Sequence, residues 1–381
     1  MIVTHIIKAT RISGAERHIL MLLPGLRQQG VDARLLLLVE PGNPMDDMVA
    51  IAEEAGVPVA RMQIHRDFSL LLINRLRGYL KAQQPDIVHT HLIHADTHGI
   101  IAARLAGVPT IITGRHNDDS FRTQGKIRFL NSLLWRFSTG GIAISRAIER
   151  FVIDVEHPPP EKVRVVEYGL TYETATPEQI EDARQRLRHE LQLPPQAVIL
   201  GMAARLTQQK GIPYALEAFA KVYRDYPQAY LVIAGDGELR PQLTQQTSDL
   251  GIRGRTLFLG WRADMIDVMA AYDVFVLPSL WEGFGLVLLE AMSRRLPIIA
   301  SHVSAIPEVV ADGETGLLVP PRDVDALADA MRTVLSDRTL RRHMGMVGED
   351  RLETHFGHAR MASATIQVYH EFSGQPADDE T

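Results

Sequence analysis

The sequence contains no cysteine among its 381 residues. Disulfide frameworks, thiolate metal sites and cysteine nucleophiles are therefore excluded. A chain without cysteine also fits a reducing compartment. Any chemistry must be carried by carboxylates, imidazoles, hydroxyls or cations.

Long apolar runs are missing as well. No uninterrupted run approaches the roughly 18 residues that suggest a membrane span. The first residues, MIVTHIIKAT, lack the basic start and the small-residue cleavage site of a signal peptide. We therefore expect a cytoplasmic location.

Basic residues are outnumbered, with 40 Lys and Arg against 46 Asp and Glu, so the formal net charge is −6. Broad nucleic-acid binding needs a basic footprint that displaces phosphate counterions. We expect small ligands and no nucleic-acid partner. The chain can bury a large interior, and its length suggests two domains rather than one core.

Short apolar runs alternate with helical patterns along the chain. Most of these runs are continuous, as expected for strands covered by helices on both faces. The pattern predicts an α/β fold with right-handed crossovers and a doubly wound parallel sheet in each half. The strand candidates are IVTHII, ARLLLLV, PDIVH, PTIIT and GIAIS, then AVILGMAA, AYLVIAG, TLFLG, VFVLPS, LPIIAS and GLLVP.

A polar segment separates the two halves. EYGLTYETATPEQIEDARQRLRHELQLPP has no buried-strand pattern, and LPP marks the point where a helix must stop. We predict a hinge at 168–196 and domains at 1–168 and 169–355. A C-terminal helix at 356–373 is expected to cross back to the first domain, and a tail at 374–381 to be disordered.

Residues at the carboxyl ends of parallel strands are the first site candidates, because ligands of open sheets bind there. Gly14 in ISGAERH and Gly235 in AGDGEL each follow a strand, where a small residue lets phosphate approach backbone N–H groups. In RLTQQKG, Arg205 and Lys210 place two cations beside a helix start, which suits a diphosphate. The alternatives are turns that serve packing alone and solvated surface charges.

Two carboxylates flank a glycine-rich turn in SLWEGFGLVLLEA. A helix is predicted to begin near Gly285, so Glu282 lies before its start and Glu290 about one turn inside. On one continuous helix their side chains would diverge by about 80°. We therefore predict that they reach different parts of one ligand, with a hexose at Glu282 and a ribose diol at Glu290. The alternative is a solvated loop acid and a first-turn charge.

EGFGLVLLE resembles the E-x7-E motif of glycosyltransferase family 4, retaining enzymes with two Rossmann-like domains in the GT-B fold. The resemblance implies an acceptor-side first domain facing a nucleotide-sugar-binding second domain across a cleft. It implies transfer of a sugar from a UDP- or GDP-linked donor to a glycan, lipid-linked or small-molecule acceptor. The other matching segments are SGAE, PDIVHTH, IAIS, RLTQQKG, AGDG and IPEVVADGETGLLVPPRD.

The resemblance also implies residue roles. Arg205 and Lys210 would hold the diphosphate, Glu290 the ribose and Glu282 the donor sugar. His116 in TGRHND resembles the family's active-site histidine, and the alternative is a strand-end histidine bonded to backbone. The remaining residues expected to line the donor are Gly14, Gly235, Gly283, Phe284, Gly285, Leu286 and Val287.

Three short segments depart from the family pattern. Ser13-Gly14 and Ser304-Ala305 stand where paired glycines are usual, which predicts a less close backbone approach to the ligand. Tyr168-Gly169-Leu170 replaces the more usual Asn-Gly-Ile/Val-Asp, which predicts the loss of a polar contact to the donor.

No Asp-x-Asp metal motif is apparent, so we expect Arg205, Lys210 and the helix start to stabilise the leaving diphosphate. Neither a metal nor a cofactor is expected. No residue is identifiable as a carboxylate nucleophile of the kind that retaining glycosidases use. The family resemblance implies a front-face, oxocarbenium-like route instead.

Two other segments invite hypotheses. HTHLIHADTH suggests zinc because His94 and His98 are four residues apart on a helix, but neither an acid nor a third ligand completes a set with His89 and His91 by spacing. RTQGKIRFLNSLLWRF carries Arg122, Lys126, Arg128 and Arg136 among apolar residues. It could rest on an anionic membrane beside a lipid-linked acceptor, or be an ordinary helix packed on the first sheet.

Two alternative functions share this fold. A nucleotide-sugar epimerase would release free sugar without any acceptor. A non-catalytic nucleotide-sugar-binding partner subunit would release no nucleotide with any acceptor. The set of Arg205, Lys210, Glu282 and Glu290 favours a transferase over the second.

Overall fold

The computed structural model describes residues 1–65, 67–172 and 175–374. Within these residues the strands form a seven-stranded and a six-stranded sheet, both parallel. The predicted disordered tail lies outside the described residues from position 375. The strands are β1 Ile2–Lys8, β2 Asp32–Val39, β3 Val59–Gln63, β4 Ile87–His91, β5 Thr110–Arg115, β6 Gly140–Ala143, β7 Val163–Val165, β8 Val198–Ala203, β9 Ala229–Ala234, β10 Thr256–Gly260, β11 Val274–Leu277, β12 Ile298–Ser301 and β13 Gly316–Val319.

Helices alternate with these strands. A π-helical turn at Asp96–Ile100 joins α4 to α5 in one continuous helical segment. In the described part of the chain, no helix has both the length and the apolar character needed to cross a bilayer. The helices are α1 Gly14–Gln28, α2 Asp46–Glu54, α3 Leu70–Gln83, α4 Leu92–Ala95, α5 Ile101–Ala106, α6 Gly125–Phe137, α7 Arg146–Glu156, α8 Pro177–Glu190, α9 Ile212–Val222, α10 Arg240–Asp249, α11 Met265–Ala270, α12 Leu286–Met292, α13 Ile306–Val309, α14 Val324–Ser336, α15 Arg338–His355 and α16 His358–Ser373.

Contacts within the chain separate into two units. The first unit contains residues 1–171 and the segment from Phe356 onward, and the second unit is Tyr172–His355. The division falls inside the predicted hinge segment, which also contains α8 of the second unit.

The first unit has strand order β3-β2-β1-β4-β5-β6-β7. Alternate residues of its central strands enter two cores on opposite faces of the sheet; Ile7 and Leu37 lie in one, and Ile6 and Leu36 in the other. Helices α1 and α16 pack together in the first of these cores, where a Cβ on Gly25 would lie 3.1 Å from the Ala362 Cβ.

The second unit has strand order β10-β9-β8-β11-β12-β13 around its own apolar core. The predicted α/β fold with a doubly wound parallel sheet in each half is confirmed. All six strand candidates of the second half form strands. In the first half the sequence missed β3 and β7, the two edge strands, because their sequences VARMQ and VRV contain no continuous apolar run.

Candidate functional site

Functional candidates in the second unit lie at the carboxyl edge of its sheet, where the parallel strands end. β8 neighbours both β9 and β11, so Arg205, Gly235 and the segment after β11 emerge side by side. The loops are tied together by backbone hydrogen bonds: Leu280 N–H donates to the Gln209 carbonyl at 2.7 Å, and Ala305 N–H to the Glu282 carbonyl at 3.3 Å.

Lys210 and Glu282 form an ion pair at this edge. Lys210 Nζ lies 2.5 Å from Glu282 Oε2, and each side chain is 12% exposed. Ser279 Oγ also donates to Glu282 Oε2, at 3.3 Å. The sequence assigned this cation and this anion to neighbouring parts of one ligand, and the fold does bring them together. Arg205 lies exposed on the same loop.

The turn between the two predicted acids ends in a left-handed residue. Gly285 has φ 87°, which an L side chain adopts only with strain, and α12 begins directly after it at Leu286. Glu290 lies on α12 and is 2% exposed, so it is more deeply buried than Glu282, whose side chain is 12% exposed. Because α12 has only seven residues, the cations rather than its dipole would dominate the field on a diphosphate.

Gly235 has a steric reason to be glycine. Its φ is 122°, and a Cβ there would lie 2.0 Å from the Ala204 carbonyl oxygen. The residue therefore allows the end of β9 to approach the end of β8. A role for Gly235 in donor binding stays a prediction.

Ser304 and Ser13, which lie where paired glycines are usual, adopt different backbone conformations. Ser304 adopts the left-handed region at φ 46° although it has a side chain. Ser13 is extended, and its N–H and Oγ both donate to Glu16 Oε2 at 3.1 and 2.6 Å. The start of α1 therefore already holds a carboxylate, while a Cβ on Gly14 would meet no atom within 4 Å.

His116, in the first unit, directly follows β5 and is 9% exposed. Its Nε2 lies 2.9 Å from His91 Nδ1, and its Nδ1 lies 2.6 Å from the Tyr168 hydroxyl. Both ring nitrogens thus bond to side chains, and the alternative of a backbone-bonded histidine is wrong. Its catalytic role stays a prediction.

A cluster of buried aromatic and imidazole rings surrounds His116. His18 stacks on Tyr168 with ring centroids 4.1 Å apart. Burial lowers the pKa of His5 and of His18 to about 3. Burial also holds the pKa values of His89, His91 and His116 well below 6.5. The cluster is therefore neutral at physiological pH.

The zinc hypothesis for His94 and His98 finds no support in their contacts. His98 Nδ1 bonds the His94 carbonyl at 2.8 Å, and His94 Nε2 lies 3.3 Å from Asp67. Within the described residues, the imidazoles that converge are those of His5, His89 and His91. His5 was not among the sequence-based candidates, because only the pairing of β1 with β4 places it opposite His89, and spacing along the chain does not reveal that pairing.

A buried ionic network begins at Arg115, the last residue of β5, which directly precedes His116. Arg115 donates from Nη1 to Asp96 Oδ2 and from Nε to Glu156 Oε2, both at 2.8 Å. Arg122 donates from Nη1 to Glu156 Oε1 at 2.9 Å. All four side chains are at most 1% exposed. Arg122, one of the four cations in the segment of the membrane hypothesis, is therefore buried and bound by a carboxylate, and it cannot contact a membrane surface.

Family models match both halves of the chain. The model described as "Glycosyl transferase 4-like domain" matches residues 13–169, and "Glycosyl transferases group 1" matches residues 183–351.

Among curated proteins, the chain is 30% identical over 348 residues to the UDP-Gal:alpha-D-GlcNAc-diphosphoundecaprenol alpha-1,3-galactosyltransferase of Escherichia coli, covering 89% of each chain. It is 29% identical over 316 residues to the D-inositol 3-phosphate glycosyltransferase of Corynebacterium glutamicum, covering 78% of this chain and 75% of that one.

Among solved structures, Anabaena Alr3699/HepE in complex with UDP and glucose superposes with a TM-score of 0.84 at 22% identity, covering 97% of this chain and 100% of that one. The two curated relatives are named as transferases, so the epimerase and inactive-subunit alternatives are not favoured. The chain belongs to glycosyltransferase family 4, and it is a GT-B-fold glycosyltransferase that uses nucleotide-sugar donors.

Proposed function

We propose that this protein is a retaining glycosyltransferase that moves a hexose from a uridine diphosphate sugar to a lipid-linked glycan acceptor. The observation that carries the proposal is the Lys210–Glu282 pair beside Arg205 at the carboxyl edge of the second sheet. A diphosphate needs cations, and a hexose needs hydrogen-bond acceptors for its hydroxyls. This edge offers both within one hydrogen-bonded group.

The choice of donor and acceptor rests on the relatives. The Escherichia coli relative is named for UDP-galactose and for an acceptor on a lipid diphosphate. The Anabaena structure contains UDP and glucose. Both names favour a uridine donor, and the first favours a lipid-linked acceptor.

We assign the second-unit residues as follows. When the bond between the anomeric carbon and the diphosphate oxygen breaks, negative charge grows on the leaving group, and Arg205 and Lys210 stabilise it. Glu282 accepts hydrogen bonds from the donor sugar while positive charge develops at its anomeric carbon. The acceptor oxygen bonds to that carbon from the same face, and its proton passes to the departing phosphate oxygen.

A transfer assay tests this function. Purified protein is incubated with UDP-galactose, UDP-glucose or GDP-mannose and a lipid-diphosphate-linked N-acetylglucosamine. We expect UDP release that depends on the acceptor, a product with the donor's anomeric configuration, and undiminished transfer in EDTA. Acceptor-independent release of free sugar, or restoration by magnesium after EDTA, would overturn the assignment.

Conversion of each acid to its amide should separate the two carboxylates. Glu290→Gln is expected to raise the KM for the donor and spare kcat, because ribose contacts are equal in ground and transition states. Glu282→Gln is expected to lower kcat, because its contact tightens as charge develops. Each effect should be roughly 10-fold to 150-fold, the range for a hydrogen bond to a charged group.

Steady-state kinetics with thermal melts provide the measurement. Glu314→Gln, the same change at an exposed acid of the second unit, serves as the control and should leave both constants unchanged. Wild-type constants in both test variants would show that neither acid contributes to donor binding or transfer.

Helix α6 carries an apolar ridge on its exposed side. Phe129, Leu133 and Phe137 are 72%, 37% and 41% exposed and follow one another at four-residue spacing. Lys126 and Arg136 are exposed on the same helix. Exposed aromatic residues beside cations favour peripheral contact with an anionic membrane, where a lipid-linked acceptor would reside.

Liposome flotation tests this membrane contact. We expect the protein to float with anionic vesicles at low salt, and Phe129→Ser combined with Phe137→Ser to abolish flotation. Trp261, 77% exposed in the second unit, gives a matched control, since Trp261→Ser should still float. Wild-type protein that stays at the bottom of the gradient would remove the membrane from the proposal.

A further inference from the structure

Six buried side chains of the first unit form one continuous hydrogen-bonded chain, called here the histidine–tyrosine chain. Its members in order are His89, Tyr369, His5, His91, His116 and Tyr168. The five successive donor–acceptor distances are 2.9, 3.1, 3.0, 2.9 and 2.6 Å. No member is more than 9% exposed.

The parallel sheet assembles this chain. His5 on β1 pairs in register with His89 on β4, and His91 lies two residues further along the same face. His116 follows β5, the next strand of the sheet, and Tyr369 approaches from α16. Residues from both ends of the sequence therefore contact one another in the buried interior of the first unit.

The number of protons on each side chain limits the donor and acceptor directions of the histidine–tyrosine chain to two arrangements. A neutral imidazole has one N–H and one acceptor nitrogen, and each hydroxyl has one proton. A Tyr369 oxygen that accepted from both His89 and His5 would leave its own buried O–H without a partner among the described residues, so Tyr369 donates to one of them and accepts from the other. Every internal member then uses both of its groups, and reversing one bond reverses all of them. Either all four histidines carry the proton on Nδ1, or all four carry it on Nε2.

The far end of the chain selects between these arrangements. His89 Nε2 is buried and has no hydrogen-bond partner among the described residues. Protonation on Nε2 would leave a buried N–H unpaired there, whereas protonation on Nδ1 leaves only a lone pair. Orphaned buried N–H groups are rarer than under-used acceptors, so the Nδ1 arrangement is favoured.

We propose that the histidine–tyrosine chain holds His5, His89, His91 and His116 all in the Nδ1–H tautomer and thereby makes His116 a positioning residue. In this arrangement His91 Nδ1–H donates to His116 Nε2, and His116 Nδ1–H donates to the Tyr168 oxygen. Neither nitrogen of His116 is left to take a proton from an acceptor. The catalytic part of this inference rests on the proposed function; the tautomers do not.

The donor-to-acceptor direction of the histidine–tyrosine chain determines the orientation of the Tyr168 hydroxyl. Because His116 donates to its oxygen, the Tyr168 hydroxyl proton points away from His116. Hydrogen bonds in a low-dielectric interior polarise one another, so the chain strengthens Tyr168 as a donor. Tyr168 occupies the hinge position where the sequence predicted the loss of a polar contact to the donor, and in the structure its hydroxyl contacts His116.

A metal ion is the competing explanation for the same residues. His5, His89 and His91 each offer a ring nitrogen, all within 4.8 Å of one another. An ion there would displace the bond between His5 and His91. It would also bury two positive charges among ligands that include no carboxylate, which is costly. The neutral chain therefore fits the site better.

Nitrogen-15 NMR of histidine-labelled wild-type protein tests the tautomers directly, because protonated and bare ring nitrogens have well-separated shifts. We expect four Nδ1–H, Nε2-bare imidazoles assigned to the chain by single replacements. An Nε2–H or charged form at any of the four would overturn the proposal. One equivalent of zinc that purifies with the protein and is absent from His5→Phe would do the same.

A matched pair at His91 tests positioning. His91→Asn keeps an N–H donor near the place of Nδ1, whereas His91→Leu has similar size and no donor. We expect His91→Leu to lower kcat roughly 2-fold to 10-fold, the effect of one hydrogen bond, with the donor KM unchanged, and His91→Asn to restore most of kcat. Equal kcat in the two variants would contradict the positioning role. If wild-type protein shows no transfer at all, the proposed function fails while the NMR test still decides the tautomers.

Discussion

Lowering the pH from 7.5 to 5 is expected to destabilise the first unit steeply. Burial lowers the pKa of His5 and His18 to about 3 and those of His89, His91 and His116 well below 6.5. In the unfolded chain these groups titrate near 6.5. Below that pH the unfolded state binds protons that the folded state does not, so stability is present above pH 6.5 and is lost as the pH falls.

The expected effect is large because the five imidazoles act together. Each contributes up to about 1.4 kcal/mol per pH unit once its unfolded form is protonated. Thermal melts from pH 7.5 to 5 measure the slope. His18→Gln should reduce the slope, and His302→Gln, at an exposed histidine of the second unit, should not. A melting temperature that stays constant over this range would contradict burial of the cluster.

Arg115→Met is expected to destabilise the protein by about 3 to 5 kcal/mol, the effect of breaking a buried ion pair. Burial alone would raise the pKa of Glu156, but Arg115 and Arg122 more than offset this and lower it. Without Arg115, Asp96 loses its guanidinium partner, and Glu156 retains the positive charge of Arg122 and the hydrogen bonds from Asn131 and Trp135. The melting temperature should fall by roughly 6 to 20 °C.

An exposed pair supplies the matched control. Arg332 bonds Asp329 on the surface of α14, and exposed pairs contribute about 1 kcal/mol or less. Arg332→Met should therefore melt close to wild type. A melt of Arg115→Met within a degree or two of wild type would show that the buried network contributes little.

The sequence predicted those features that local patterns determine. Continuous apolar runs gave the sheets, and the turn at Gly285 gave the start of α12, because burial on both faces and backbone conformation are local properties. β3 and β7 were not predicted because charged or polar residues interrupt their short apolar segments. Lys210 follows β8 and Glu282 follows β11, so the predicted strand ends were sufficient to place both residues at the same edge of the sheet.

The sequence alone could not predict which side chains pair across the first sheet. His5 and Tyr369 are separated by 364 positions, and no spacing rule relates a strand residue to a helix so far along the chain. The sequence left open whether Arg122 lies on the surface, because a buried and an exposed arginine cannot be distinguished until a partner such as Glu156 is known. Tyr168 and His116 were each singled out in the sequence, but the hydrogen bond between them was not predicted.

The return of α16 to the first unit has a consequence for biosynthesis. Met361, Ala362 and Tyr369 belong to the same core as Leu22 and Leu26, so that core stays incomplete until the ribosome has made residues 358–373. Domains of a growing polypeptide generally fold in the order of their synthesis. Here the second unit is fully translated before the first can close. The nascent chain therefore carries an unfinished amino-terminal unit, with the apolar face of α1 open to chaperones, throughout the synthesis of the second unit.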